Sequence, residues 1–252
     1  MKRFLALYAS VAYAFLYVPL LVLGAFSFNA SRIAVWQGFT WQWYRNVFRN
    51  EALLDGTIHS VVIALGATIL ATASGTLAAY AIWKRSAPLL TNSLYLSLLT
   101  PEIVTGVSLL AFFQWAFRYL HLQLGLDTVI LAHVSFCLAY VVLVVIARLR
   151  TMDSSFEEAA LDLGATEWQA FRHVTLPLLW PGIVAAALLC FTVSFDDYVV
   201  TSLVAGVNSE TLPMMIYAMA RRGVSPEVNA LSVLITVALG ALILLAGRLE
   251  RR

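Results

Sequence analysis

Arg150-Thr-Met-Asp-Ser-Ser-Phe-Glu-Glu-Ala-Ala-Leu-Asp-Leu-Gly-Ala-Thr-Glu-Trp-Gln-Ala-Phe-Arg-His-Val-Thr-Leu-Pro177 is the most polar stretch of the chain. It lies between two apolar runs, about Val129–Ala147 and Pro181–Ala205. Its local chemistry predicts a short helical hairpin. Ser155 and Glu158 have capping-box spacing, in which the hydroxyl takes an orphan N–H and the carboxylate reaches back. A helix follows through Ala159-Ala160-Leu161, and Gly164 supplies the left-handed residue that ends it. Thr166 and Gln169 repeat the box, opening a second short helix that Pro177 is expected to stop. The small residues Ala159, Ala160 and Gly164 leave a surface that a partner can approach closely.

Outward from the hairpin the chain is apolar. Of its 252 residues 61% are apolar and 12% charged. A soluble domain carries roughly 25% charged residues, so this chain cannot cover a water-facing surface. A helix needs ~20 apolar residues to cross the hydrocarbon core. The runs that qualify are about Phe4–Phe28, Ser60–Trp83, Leu89–Phe117, Val129–Ala147, Pro181–Ala205 and Val228–Gly247, six in all. The expectation is an all-α polytopic membrane protein forming one transmembrane domain over 1–252, with the hairpin at about 150–180. The first run extends well past a removable signal core of ~7–15 residues, and reads as a retained span.

Lys and Arg favour the cytoplasmic side. With both termini inside, ten (Lys2, Arg3, Lys84, Arg85, Arg148, Arg150, Arg172, Arg248, Arg251, Arg252) fall inside and six (Arg32, Arg45, Arg49, Arg118, Arg221, Arg222) outside. The hairpin is then the longest inner loop. On the outer side, Trp36, Phe39, Trp41, Trp43 and Tyr44 suit the membrane–water boundary as an interfacial helix. Leu212-Pro213-Met214-Met215 lies in a second outer segment that can dip back only if protein covers its backbone. Cys137 and Cys190 sit inside apolar runs and read as small buried hydrophobes. The cysteines and histidines show no zinc spacing, so no metal site is expected. His59, His121 and His133 are lone and read as boundary or packing residues. No basic cluster suggests nucleic acid.

Glu102, Asp196 and Asp197 fall within the apolar runs. Each costs ~2.5–3.5 kcal/mol at a helix centre, so they must face protein or water. On a continuous helix Ser194, Asp197, Tyr198 and Thr201 follow i, i+3, i+4, i+7 and make one polar stripe. That stripe is the candidate translocation path, with Glu102 as a further contact. Asp196 points ~100° away and is expected to meet another helix. The alternative for all three carboxylates is packing or gating. Trp115, Tyr198 and Tyr217 could meet a cation through their ring faces, and only Tyr198 shares the stripe.

The hairpin resembles the shared loop of ABC importer permeases: Glu-Ala-Ala, three residues, Gly, nine residues, Ile-x-Leu-Pro. Here Glu158-Ala159-Ala160 leads through three residues to Gly164, and nine more lead to Val174-Thr175-Leu176-Pro177. Val174 in place of Ile is the one departure. Asn29-Ala-Ser-Arg, Trp36-Gln-Gly-Phe-Thr, Ala132-His-Val-Ser-Phe-Cys, Asp162-Leu-Gly-Ala-Thr, Phe195-Asp-Asp and Ser225-Pro-Glu-Val-Asn-Ala resemble the second permease of spermidine/putrescine importers.

The resemblance implies the type I (MetI-like) importer fold with six transmembrane helices in the bacterial inner membrane. It makes the loop a coupling helix, in which Glu158, Ala159, Ala160, Gly164, Leu176 and Pro177 meet the ATPase. It also implies a second permease subunit, two ATPase subunits holding ATP and Mg, and a periplasmic substrate-binding protein. This chain has no phosphate-cradling Gly-rich loop with Lys and Ser/Thr, so a non-catalytic subunit with no cofactor of its own is expected. The same machinery could carry another small organic solute. A secondary transporter driven by its own carboxylates would leave the hairpin unexplained. An intramembrane protease would need its carboxylates to converge from separate positions.

Overall fold

A computed structural model describes residues 2–32, 35–85, 87–120, 123–221, 223 and 225–249. His121, Arg222, Arg251 and Arg252, and the side chains of Lys2, Arg3 and Arg248, lie outside the described residues. Most of the described residues are helical. In order the helices are α1 (Lys2–Phe26), α2 (Gln42–Val47), α3 (Glu51–Arg85), α4 (Pro88–Leu99), α5 (Glu102–Leu120), α6 (Leu126–Leu149), α7 (Ser155–Asp162), α8 (Glu167–Ala170), α9 (Leu176–Asp196), α10 (Val199–Val204), α11 (Leu212–Arg221) and α12 (Pro226–Leu249). A π-turn over Phe171–Thr175 joins α8 to α9.

Four helical stretches are long and apolar enough to cross a membrane: Phe4–Phe26, Glu51–Arg85, Leu126–Leu149 and Glu167–Asp196. The expected third span is not one rod. It is α4 and α5, bent by 103° at Pro101, which cannot complete a helical hydrogen bond. Counted as one span, the pair makes five. The described apolar part of α12, Pro226–Ala241, is shorter. The expected fifth span also differs. Its helix begins before Pro181 and ends at Asp196, and α10 starts afresh at Val199.

Two compact units divide the chain. The first comprises Met1–Gly56 and Met215–Leu245. Its aromatic segment is more loop than interfacial helix, since α2 has only 6 residues. Asn29 organises that loop. Its Oδ1 accepts the Gln37 N–H at 3.0 Å, its Nδ2 donates to the Val35 carbonyl at 2.9 Å, and its own carbonyl accepts the Trp43 indole N–H at 2.7 Å. Phe28 packs on Phe39, Trp41 and Tyr44.

The second unit, Thr57–Met214 with Ala246–Arg252, holds the core. α3, α6 and α9 meet around Ala71, Ala79, Val141, Val145, Leu179, Ala186 and the free thiols Cys137 and Cys190. Small residues on α3 allow this close approach. A Cβ on Gly75 would lie 2.7 Å from Val141 Cγ1. A second cluster joins Ile63 of α3, Phe113 of α5, Val129 and Ala132 of α6, and Val200 and Val204 of α10. It holds the second half of each broken segment, α5 and α10, against α6.

Candidate functional site

The polar stretch folds as a hairpin, with two differences in its local chemistry. α7 is not opened by a Ser155–Glu158 box. Asp153 Oδ1 accepts the Ser155 N–H at 2.9 Å instead, and the Ser155 backbone and side chain hold the Asp153 carboxyl below its ordinary range. Gly164 then ends α7 with φ at +90°. Its N–H donates to the Leu161 carbonyl at 2.9 Å, and the Ala165 N–H donates to the Ala160 carbonyl at 3.1 Å. That double closure is the Schellman pattern, which needs a left-handed residue where Gly164 stands. Thr166 and Gln169 form the second box in both directions, at 2.9 and 3.3 Å.

Pro177 does not stop the second helix. Its ring would press on the carbonyl four residues back, and it has no N–H to donate there. The wider turn over Phe171–Thr175 absorbs both defects, with the Leu176 N–H reaching the Phe171 carbonyl. Helix therefore runs through Leu176 and Pro177 into α9.

Glu158, Ala159 and Gly164 are exposed, and Ala160 is half-buried. Phe156, Leu163 and Trp168 are exposed beside them. Phe156, Ala159, Ala160 and Leu163 stand at i, i+3, i+4 and i+7, an apolar stripe along one helix face.

The neighbouring carboxylate, Glu157, was not singled out by the motif, yet it is the best-connected group of the hairpin. Its side chain is 6% exposed. Oε1 accepts the Tyr80 hydroxyl at 2.6 Å and pairs with Lys84 Nζ at 2.7 Å. Oε2 accepts the Thr175 hydroxyl at 3.1 Å. Burial alone would raise this carboxyl's pKa; the bonds from Lys84, Tyr80 and Thr175 outweigh it and hold the group below its ordinary range.

The other candidates gather where α9 breaks. Asp197 leaves the helix with ψ 126°, so Ser194, Asp197, Tyr198 and Thr201 do not form one helical stripe. His133 of α6, read from sequence as a lone packing residue, brings three of them together. Its Nδ1 lies 2.7 Å from Ser194 Oγ and its Nε2 2.9 Å from Thr201 Oγ1. Asp197 Oδ2 is 3.4 Å from the same Nε2. It also accepts the Thr201 N–H and the Thr201 hydroxyl, both at 2.7 Å. The donors and acceptors balance with the imidazole proton on Nε2 and the Ser194 hydroxyl donating to Nδ1. Ser194, His133 and Thr201 are buried and do not line open space. Asp197 caps α10, accepting the Thr201 N–H, one of the first N–H groups that the helix leaves unpaired.

A cavity of about 510 Å³ opens beside this knot. Glu102 and Asp196 reach it as exposed side chains, together with Tyr198, Tyr140, Thr192 and one side of Asp197. Both carboxylates therefore meet the cavity, Asp196 as an exposed side chain and Asp197 by one side, with its Oδ2 bonded to protein. Among the described residues no cluster of three His, Cys, Asp or Glu could hold a metal ion.

An all-helical membrane chain with a polar helical hairpin and a carboxylate-lined cavity is the architecture of a transport permease. The chain belongs to the family of binding-protein-dependent transport system inner membrane components, whose model matches residues 71–252. It is 42% identical over 246 residues to the spermidine/putrescine transport system permease protein PotC of Haemophilus influenzae, covering 96% of this chain and 94% of that one. It is 40% identical to PotC of Escherichia coli K12, covering 97% and 92%. The putrescine transport system permease protein PotI of the same strain is 39% identical, covering 96% and 89%. Among solved structures, a bacterial ABC transporter importing the acidic polysaccharide alginate shares the fold, with a TM-score of 0.75 and 16% identity over 100% of this chain and 96% of that one. The MetNI methionine transporter matches with a TM-score of 0.65 and 18% identity over 79% and 94%. The protein is therefore a multi-pass inner-membrane subunit of a bacterial ABC importer, a class that works with an ATPase and a binding protein.

Proposed function

We propose that this chain forms half of the translocation path of a polyamine importer, carrying spermidine or putrescine. The observation that carries the reading is the cavity: Glu102 and Asp196 stand exposed in an otherwise apolar segment, as an elongated polycation requires. The names of relatives 39–42% identical over nearly the whole chain support the same substrate class. The apolar runs support six crossings with both termini cytoplasmic, which puts the Glu158–Pro177 hairpin on the ATPase side.

A second permease completes the path, and two partner ATPases hold ATP and Mg. Glu158, Ala159, Ala160 and Gly164 meet the ATPase, while Leu176 and Pro177 carry the hairpin into α9. Glu102 and Asp196 are the cation contacts, Asp197 and Tyr198 form the wall, and Ser194 and Thr201 hold it in place. Tight binding is not needed in the membrane, because the potential favours inward movement by ~2.3 kcal/mol per charge per 100 mV.

The test is uptake by the complete complex in proteoliposomes, with labelled putrescine, spermidine and a neutral amino acid. ATP-dependent uptake of the polyamines alone is expected. Preferential uptake of the amino acid, or polyamine uptake that ignores ATP, refutes the reading.

A further inference from the structure

The hairpin's carboxylate connection to the membrane helices does not run through the exposed Glu158. Glu157 sits in the first turn of α7, buried, with both carboxylate oxygens occupied. Tyr80 and Lys84 are four residues apart on α3, so they present one face. Thr175 closes the π-turn that leads into α9. One carboxylate therefore ties the hairpin to the ends of two membrane helices. Tyr80 adds a ring contact to Phe171, centroids 4.5 Å apart, and Phe171 stacks on Trp168 of the hairpin's second arm.

The far end of this arrangement is equally specific. α9 runs 21 residues from Leu176 to Asp196, a rod of about 30 Å. Thr175 lies just before its first residue. Asp196, in the cavity, is its last. α9, with Pro181 inside it, thus joins the turn that Glu157 holds to the residue that lines the cavity.

We propose that Glu157 is a positioning residue for coupling: its carboxylate, held by Lys84, Tyr80 and Thr175, transmits movement of the hairpin to α3 and α9. The inference rests on the importer reading above. Glu157 need not touch the ATPase or the substrate. Without its charge the hairpin still folds, because α7 is closed by Asp153 and Gly164 and the second arm by Thr166 and Gln169. The hairpin would dock normally but slide against the helices that it should drive. Energetic coupling of this kind runs through packed, hydrogen-bonded elements, which can be loosened without unfolding either end.

The experiment uses the whole transporter in proteoliposomes and measures putrescine moved per ATP hydrolysed. Glu157→Gln keeps the shape and removes the charge. Lys84→Met removes the partner cation without touching the hairpin. Both should retain the ATPase on purification and hydrolyse ATP, while transport per ATP falls by about tenfold, as expected for loss of a charged hydrogen bond in the joint. Tyr80→Phe should fall less than either. A structural role alone would lower yield, hydrolysis and transport together and leave the ratio unchanged. That unchanged ratio in both Glu157→Gln and Lys84→Met overturns the proposal, and Lys84→Met decides it alone if Glu157→Gln does not assemble. Wild-type protein that moves putrescine without ATP would remove the importer reading. Wild-type coupling matched by both variants would remove only the joint.

Discussion

Asp196 and Asp197 are adjacent in sequence and opposite in surroundings, so the same substitution at each should fail in different assays. Asp197 accepts two bonds from Thr201 at 2.7 Å and faces His133 at 3.4 Å. Asn at 197 keeps one oxygen and brings an NH2 group toward donors that already need an acceptor. Hydrogen bonds to a charged group contribute about 1.5–3 kcal/mol each. Asp197→Asn should therefore cost roughly 2–5 kcal/mol of stability, because α10 loses the charged acceptor of its first N–H groups. Asp196 is exposed and makes no side-chain hydrogen bond or ion pair to another described residue. Asp196→Asn should leave the fold intact and remove one negative charge from the cavity. At ~4 Å that charge attracts a cation by up to about 4 kcal/mol at a near-surface effective dielectric. If a third of this reaches the rate-limiting step, uptake falls about tenfold. Thermal unfolding of the detergent-solubilised complex and initial polyamine uptake, measured on both variants, separate the two. A stable Asp197→Asn protein with no uptake, beside an Asp196→Asn protein that transports at the wild-type rate, would refute this assignment.

Three further outcomes are expected. Gly164→Val should weaken co-purification of the ATPase, because a left-handed residue with a side chain costs about 1–2 kcal/mol; a Cβ there meets nothing within 4 Å, so Gly164→Asn, which tolerates that conformation, should dock nearly normally. Gly75→Leu should lower the unfolding temperature of the solubilised chain by the equivalent of about 1–3 kcal/mol, since even its Cβ would collide with Val141 at 2.7 Å; an unchanged temperature would mean that α3 and α6 are not packed this closely. The depressed Glu157 carboxyl contributes stability that is present above the unfolded value of about 4.3 and is lost as pH falls through its lower folded value; hydrogen exchange of the hairpin amides, corrected for intrinsic rates, should stay constant from about pH 8 to 5 and rise only below about pH 4, and loosening between 7 and 5 would count against the pairing.

Signals with short range were legible in the sequence, and those that depend on a distant partner were not. Gly164 and the Thr166–Gln169 box act within one turn, and both stand as their spacing requires. The apolar runs marked the long helices because hydrocarbon depth leaves little choice. Glu157 and Glu158 are indistinguishable by local rules. Only Tyr80 and Lys84, more than seventy residues away in sequence, separate the buried one from the exposed one. His133 is likewise unremarkable until Ser194 arrives from α9 and Thr201 from α10. The start of α7 shows a closer contest. The Glu158 N–H that a Ser155 cap would take goes to the Ser154 carbonyl at 3.1 Å, so α7 opens one residue earlier than the box spacing suggests.

Both errors along the fifth run came from treating a helix as a uniform rod. Pro177 was expected to end a helix that it only widens. The helix was expected to pass through Asp197, where it breaks. The two are linked by what water can do at each place. Near the hairpin, a proline's missing hydrogen bond can be absorbed by a five-residue π-turn, so the helix survives a residue that breaks most others. Facing lipid, an unpaired backbone group has no partner, so a break survives only where protein covers it or a cavity meets it. Asp197 supplies that cover at this break, and the cavity lies beside it. The nearly buried Asp197 carboxylate thus closes the backbone irregularity, and its neighbour Asp196 stands exposed beside it. A polar residue in an apolar run is therefore better read first as a sign of broken backbone nearby, and only then as a contact for cargo.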